Sequence, residues 1–300
     1  MGPDVYGTGF GQLGPLLANG HLLALDEYLQ GWDGWDDVSQ AMLDAGTSEG
    51  TLHAVLAPEV RVLAIRDDIF EEAGVDPSVS IDDPQELREI AEEVVQRDGD
   101  RIAVQGLDLK SGFNNEQEFF SFVGMMGQYQ LWDEDLQPLL ETPEAVAALE
   151  MMQSYFVEEL STYSDDLEMT DGLAAMGFQS SNAAIQLEDR FGGDITWQPM
   201  PGGNSVALGT FFTVSAYTDA PEAAVELFKE IMSPEGQMII LDKQGLLPTR
   251  ASLQEEFVSL NDRNQVFFDG VQNAYVYGPI NPYFFEFIDA VRPQIEEALY

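Results

Sequence analysis

The chain has 300 residues, 45% of them hydrophobic and 11% aromatic, enough to bury a sizeable core and to exclude a disordered polymer. Its 54 aspartates and glutamates stand against 12 lysines and arginines, for a formal charge of -42, which argues against nucleic acid as a partner. With no cysteine, disulfides, thiol nucleophiles and cysteine metal sites are excluded.

At the N-terminus, PDVYGTGFGQLG carries the spacing G-x-G-x-x-G at Gly9, Gly11 and Gly14, after a short strand through Val5 to Gly7. A dinucleotide loop needs a helix next and, about twenty positions on, an acidic residue ending a second strand. Here Pro15 and a Gly20 stop follow instead, and Asp26 falls in ALDEYL, a short helix. The glycines therefore read as a turn. Strands are predicted at Leu52 to Leu56, Val62 to Ile65, Ile102 to Leu107, Ala183 to Leu187 and Phe211 to Ala216. Between them, Asp83-Pro84-Gln85, Thr142-Pro143-Glu144 and Ser233-Pro234-Glu235 each set a capping side chain before a first-turn proline. The second of these helices shows apolar spacing at Val146, Leu149, Met152 and Phe156. The alternation predicts an α/β class.

No internal repeat or low-complexity linker divides the chain, so crossings between lobes are sought at Val104 to Leu107, Leu208 to Phe212 and Leu246 to Arg250. No run of about 18 apolar residues is present to span a bilayer. The start MGPDVYGTGF lacks the basic and apolar regions of a secretory signal, which leaves a cytosolic protein or an exported form without its leader. The acidic residues are spread through nearly every polar segment, and the lysines are Lys110, Lys229 and Lys243 alone. That pattern points to an extreme halophile, since in molar salt the Debye length falls to about 3 Å and like charges cease to repel at range. A surface built to attract cationic ligands or calcium is the weaker reading, as no loop has EF-hand spacing.

Catalytic patterns are missing. His21 and His53 lie in unrelated contexts, there is no G-x-S-x-G or Walker loop, and Glu188 beside Asp189 means little among so many carboxylates. No metal site or cofactor is expected. Aromatics cluster instead in GFNNEQEFFSF (Phe113, Phe119, Phe120, Phe122) and in AYVYGPINPYFFEF (Tyr275, Tyr277, Tyr283, Phe284, Phe285, Phe287). Phe120 and Phe287 read as core, whereas the rigid turn from Tyr277 to Pro282 suits the wall of a small-molecule cleft.

Taken in order, these segments resemble the extracellular solute-binding proteins of ABC importers, in the family that includes the sugar and maltose binders. PDVYGTGFGQLGPLLANGHLLALDEYL is similar to the family's Pro-Asp strand and its ligand-contacting turn. EGTLHAVLAPEVRVLAIRDDIFEEAGVDP is similar to the stretch that crosses the cleft, with Arg66-Asp67 in place of the usual Tyr-Asn. DDPQELREIAEEVV, TDGLAAMGFQSSNAAIQLEDRF, VSAYTDAPEAAVELFKEIMSPEGQ and GLLPTRASL follow in family order.

The resemblance implies a two-lobed periplasmic-binding-protein type II fold with hinge-crossing strands, closing on a solute and recognised by a membrane permease. The lobes are expected at residues 1–105 plus 210–248 and at 106–209 plus 249–300. Relatives carry an export signal and a first strand-helix-strand before the Pro-Asp, so a truncated first lobe is expected. Carried over by position, the ligand-binding candidates are Tyr6, Thr8, Phe10, Gln12, Glu59 and Arg61, then Asn115, Glu116, Glu188, Asp189, Arg190 and Tyr277, with Thr210 and Phe211 at a crossing. Where LEDRF stands, many sugar binders place a tryptophan. The implied function is non-enzymatic capture of a sugar or oligosaccharide at the cell surface. A polyol phosphate or polyamine binder, or a glycoside hydrolase using Glu188 or Asp189 with another cleft carboxylate, are the alternatives.

Overall fold

The computed structural model describes residues 2–109, 115–162, 168–278 and 280–299. In chain order the elements are β1 (Val5–Gly9), α1 (Leu13–Ala18), α2 (Asp26–Leu29), α3 (Gln40–Asp44), β2 (Thr47–Ser48), β3 (Thr51–Leu52), β4 (Ala54–Val60), β5 (Val62–Arg66), α4 (Asp67–Ala73) and α5 (Pro84–Val94). There follow β6 (Gln96–Asp98), β7 (Arg101–Asp108), α6 (Asn115–Met125), α7 (Pro143–Val157), β8 (Ala174–Gln179), α8 (Ser181–Phe191), β9 (Ile195–Gln198) and β10 (Ser205–Val214). The chain ends with α9 (Pro221–Ile231), α10 (Pro234–Gln244), α11 (Gln254–Leu260), α12 (Asn264–Gln272), β11 (Ala274–Tyr275) and α13 (Phe284–Leu299). The α/β class is as expected.

Two compact units form, one from Met1–Val60 with Ala207–Phe287 and the other from Arg61–Val206 with Ile288–Tyr300. In the first, β10 is central. It pairs antiparallel with β1, from Val5↔Val214 to Gly9↔Thr210, and antiparallel with β4, from Ala207↔Val60 to Thr213↔Ala54. Successive side chains of a strand face opposite ways. Phe212 and Val214 accordingly enter a core with Leu25, Leu29, Val55, Val225 and Phe228, while Phe211 leaves from the other face to pack 6.0 Å from the Phe10 ring.

The second unit is built on the mixed sheet β6-β7-β8-β5-β9. Every residue of β5 is buried, because β8 and β9 pair with it on either side. The helix α5 buries Leu87, Ala91 and Val94, one face of a 3.6-residue period.

The predicted caps form. Asp83 accepts from the amides of Gln85 and Glu86, Thr142 from that of Ala145, and Ser233 from that of Gly236, each satisfying donors that the first helical turn leaves open. Other expectations need correction. Ala183 to Leu187 is helical, inside α8, because Ser180 caps the Ala183 amide and starts a helix there; the strand is the preceding AAMGFQ. On α7 the buried stripe is Ala145, Ala148, Met152 and Tyr155, so Val146 lies outside it and is 46% exposed.

The divisions between units also fall elsewhere than expected. Val104 to Leu107 belongs to β7, paired with β8 inside the second unit, and Leu246 to Arg250 is tied into the first by the Leu247 amide on the Pro58 carbonyl, at 2.8 Å. Residues 61–105 therefore join the second unit and 249–287 the first. The chain passes between units after Val60, Val206 and Phe287, so the stretch around Leu208 to Phe212 lies just past one passage.

Gly209 sits opposite Pro58 in the ladder with φ of +130°, and a Cβ there would run into the Ala57 carbonyl. Strained backbone of that kind costs about 1–3 kcal/mol per residue. Gly209→Val should therefore lower the midpoint of chemical denaturation by the equivalent of about 2 kcal/mol or more, checked by following circular dichroism through unfolding.

Candidate functional site

In the first unit the turn after β1 gathers several of the predicted residues. Thr8 is buried and its hydroxyl donates to Gln12 Oε1 at 2.8 Å, an oxygen that also accepts from the Gly9 amide at 3.2 Å. The Phe10 ring meets Tyr277 at 5.4 Å and Phe284 at 5.8 Å, so with Phe211 it forms one aromatic cluster. Such tilted and edge-on pairs add about 0.5–1.5 kcal/mol each to simple burial. Phe211 is fully buried and Tyr277 nearly so, and both serve as packing beneath the turn. Gln12 is exposed and Thr210, on β10, half-buried.

The glycine motif answers to the same packing. A Cβ at Gly11 would come 2.5 Å from the Phe284 ring, and one at Gly14 would enter the Asn281 carbonyl. These positions are glycine because the segment 280–285 lies directly on them. At Gly11 and Gly14 the close approach is one of chain to chain.

The remaining first-unit candidates stand apart from that cluster. Tyr6 borders a hollow of about 480 Å3 together with Leu16, His21 and Tyr217, and its burial raises the phenol above its ordinary value. Glu59 is half-buried on β4 opposite Leu208.

In the second unit Arg61 donates to Gln117 Oε1 at 3.3 Å, and its backbone amide to the Ser205 hydroxyl at 2.9 Å. Asn115, in the first turn of α6, is fully buried, yet neither its amide nitrogen nor its oxygen has a hydrogen-bond partner among the described residues. Leaving such a group unpaired costs about 1–3 kcal/mol. Glu116 beside it is engaged: Arg292 on α13 grips both carboxylate oxygens, at 3.0 and 2.9 Å, which also holds the guanidinium still more firmly protonated. Phe113 lies outside the described residues, while Phe119, Phe120 and Phe122 are core.

Glu188, Asp189 and Arg190 lie in the last turns of α8, with Asp189 exposed. Arg190 is committed to the 3-10 turn Met169–Asp171, donating to the Thr170 carbonyl at 2.7 Å and the Asp171 carbonyl at 2.6 Å. Arg66 stacks 3.9 Å over the Phe191 ring while forking onto Asp68, which holds that carboxyl below the usual range through its hydrogen bonds. The Arg66-Asp67 departure thus serves structure. Gln117 and Arg292 were not singled out from the sequence; Arg292 is 176 positions from its carboxylate, and no local spacing links them.

The family described as bacterial extracellular solute-binding protein matches residues 2–263. The chain belongs to that family. Among solved structures, the cyclic alpha-maltosyl-1,6-maltose binding protein from Arthrobacter globiformis is similar at a TM-score of 0.85 and 19% identity, covering 99% of this chain and 79% of that one. The sugar-binding protein MalE from Xanthomonas citri is similar at 0.84 and 19%, covering 99% and 78%. UgpB from Mycobacterium tuberculosis, in complex with glycerophosphocholine, is similar at 0.78 and 15%, covering 99% and 84%. At these identities the likeness is one of fold.

Asn115 and Glu116 are separable by mutation. Asn115→Leu removes an unsatisfied amide at similar volume and should leave stability unchanged or raise it by up to about 1 kcal/mol, whereas Glu116→Gln weakens a buried charge pair and should cost about 2 kcal/mol. Denaturation curves of the two variants, recorded side by side, check this.

Proposed function

We propose that this solute-binding protein is the capture component of an ABC importer, holding a sugar or oligosaccharide unaltered at the cell surface and handing it to a membrane permease. Membership of the extracellular solute-binding family, over residues 2–263, is the observation that carries the transport role. The nature of the solute is argued from the site. Asn115 offers a buried donor and acceptor together, which suits vicinal hydroxyls. Micromolar affinity needs about -8 kcal/mol, within reach of a few such hydrogen bonds and an aromatic face.

A charged solute such as a polyol phosphate is the second reading, favoured by the glycerophosphocholine bound to the UgpB structure. The guanidinium groups of Arg66, Arg190 and Arg292 are already held by carboxylate or carbonyl oxygens, and that of Arg61 by an amide oxygen, which sets the neutral sugar first. As a catalytic pair Glu188 and Asp189 are disfavoured on geometry, since they are consecutive on a helix and their side chains diverge by about 100°; a hydrolase would have to pair one of them with another carboxylate.

Calorimetric titration with maltose, mannobiose and glycerophosphocholine, with reducing ends assayed in parallel, tests the proposal. Saturable heat with a saccharide and no new reducing ends is expected. Release of product would reject a pure binder, and a response to glycerophosphocholine alone would move the solute to the charged class. Asn115→Leu should weaken saccharide binding at least tenfold, about 1.4 kcal/mol.

The dispersed charge of -42 further supports an origin in molar salt. Between 0.1 and 1 M salt the screening length falls from about 10 to about 3 Å, which removes most long-range repulsion. The melting temperature should rise steeply across that interval; a flat profile in potassium chloride would count against a halophilic source.

A further inference from the structure

Two hollows of the first unit share the Trp32 indole as a wall. The larger, about 450 Å3, is bordered by Asp26, Gln30, Trp35, Asp44 and Thr47, and the smaller, about 390 Å3, lies toward Asp37 and Arg250. The two indoles meet edge to face, with centroids 4.9 Å apart and planes at 72°, so they make a corner. Local backbone holds that corner. Gly31 has φ of +78°, which favours glycine, and a Cβ at Gly34 would fall inside the Trp32 ring. Both indoles also pack against the core that contains Leu29 and Val38.

The faces of such rings attract cations. Trp32 already receives one, the Arg250 guanidinium, 5.6 Å from its centroid on the side of the smaller hollow. The larger hollow has no basic group in its lining and two carboxylates. Asp26 accepts from the Leu52 amide at 3.0 Å and Asp44 from the Gln40 side chain at 2.7 Å, both neutral donors, so among the described residues the negative charges are uncompensated. Residues 1–60 contain no lysine or arginine at all. Indole faces beside uncompensated carboxylates are the wrong lining for a calcium ion, which takes six to eight oxygens, and a neutral sugar would leave the charge unbalanced.

We infer that the larger hollow, bounded by Trp32, Trp35, Asp26 and Asp44, is a second binding site, for a small organic ammonium ion, separate from the solute site proposed above. Its volume lies in the lower part of the range for small-molecule pockets. The indoles would take the alkyl groups and diffuse charge, and the two carboxylates would supply the counter-charge.

Two of the four tryptophans line the hollow, so fluorescence reports on it directly. The intact chain is titrated with tetramethylammonium chloride replacing sodium chloride at constant total chloride, and separately with maltose. Saturable quenching or a spectral shift with tetramethylammonium is expected, lost in Trp35→Leu and retained in Asn115→Leu. In Asp44→Asn, an exposed position that cannot disturb the core, the half-saturating concentration should rise at least fivefold. A response no larger than that to sodium chloride, an unchanged midpoint in Asp44→Asn, or saturation by maltose at this hollow would overturn the assignment. Persistence of the ammonium response in Asn115→Leu keeps this outcome distinct from any failure of the sugar-binding reading.

Discussion

Hydrogen bonding along both edges of β10 is the constraint on which the first unit depends. One strand joins residues near the start of the chain, through β1, to residues some fifty positions later, through β4, and it brings with it the long C-terminal segment beyond residue 207. Because the ladder is antiparallel on both sides, its register fixes which face each side chain takes. Phe212 and Val214 build one core while Phe211 supports the turn that carries Thr8, Phe10 and Gln12. A slip of one residue would exchange those roles and expose the aromatic cluster.

Polar groups divide between those already satisfied and those left open. Arg292 with Glu116, Arg66 with Asp68, and Arg250 with Asp37 pair charges that burial would otherwise penalise heavily. Asn115 makes the opposite choice, keeping a buried amide without a partner among the described residues, within one residue of an engaged carboxylate. Two adjacent side chains thus contrast a group spent on the fold with one held in reserve. This contrast, more than any motif, gives the proposed site its chemical character.

Much of the fold was legible from local chemistry. The proline-led helix starts at Pro84, Pro143 and Pro234 were found with their caps, since capping depends only on neighbouring residues. What failed depended on distance. The segment Ala183 to Leu187 is apolar enough for a strand, and only the Ser180 cap decides for helix. The crossings at Val104 and Leu246 were misplaced because pairing partners, β8 and the Pro58 carbonyl, lie far off in sequence. Of the site, the turn at Thr8 to Gln12 and Tyr277 were each named through the resemblance, but on different lobes; their packing together within the first unit joins residues far apart in the chain and carries no spacing signal. The engagement of Glu116 and Arg190 was not visible, because their partners carry no spacing signal.

The distribution of cations has one more consequence. Since the first sixty residues hold no lysine or arginine, trypsin would meet its earliest cleavable bond after Arg61, the residue that begins the second unit. That residue is half-buried, with its amide and its side chain both hydrogen-bonded. Proteolysis there requires local opening, so the rate at which a fragment ending at Arg61 is released would act as a clock for loosening of the chain at that passage.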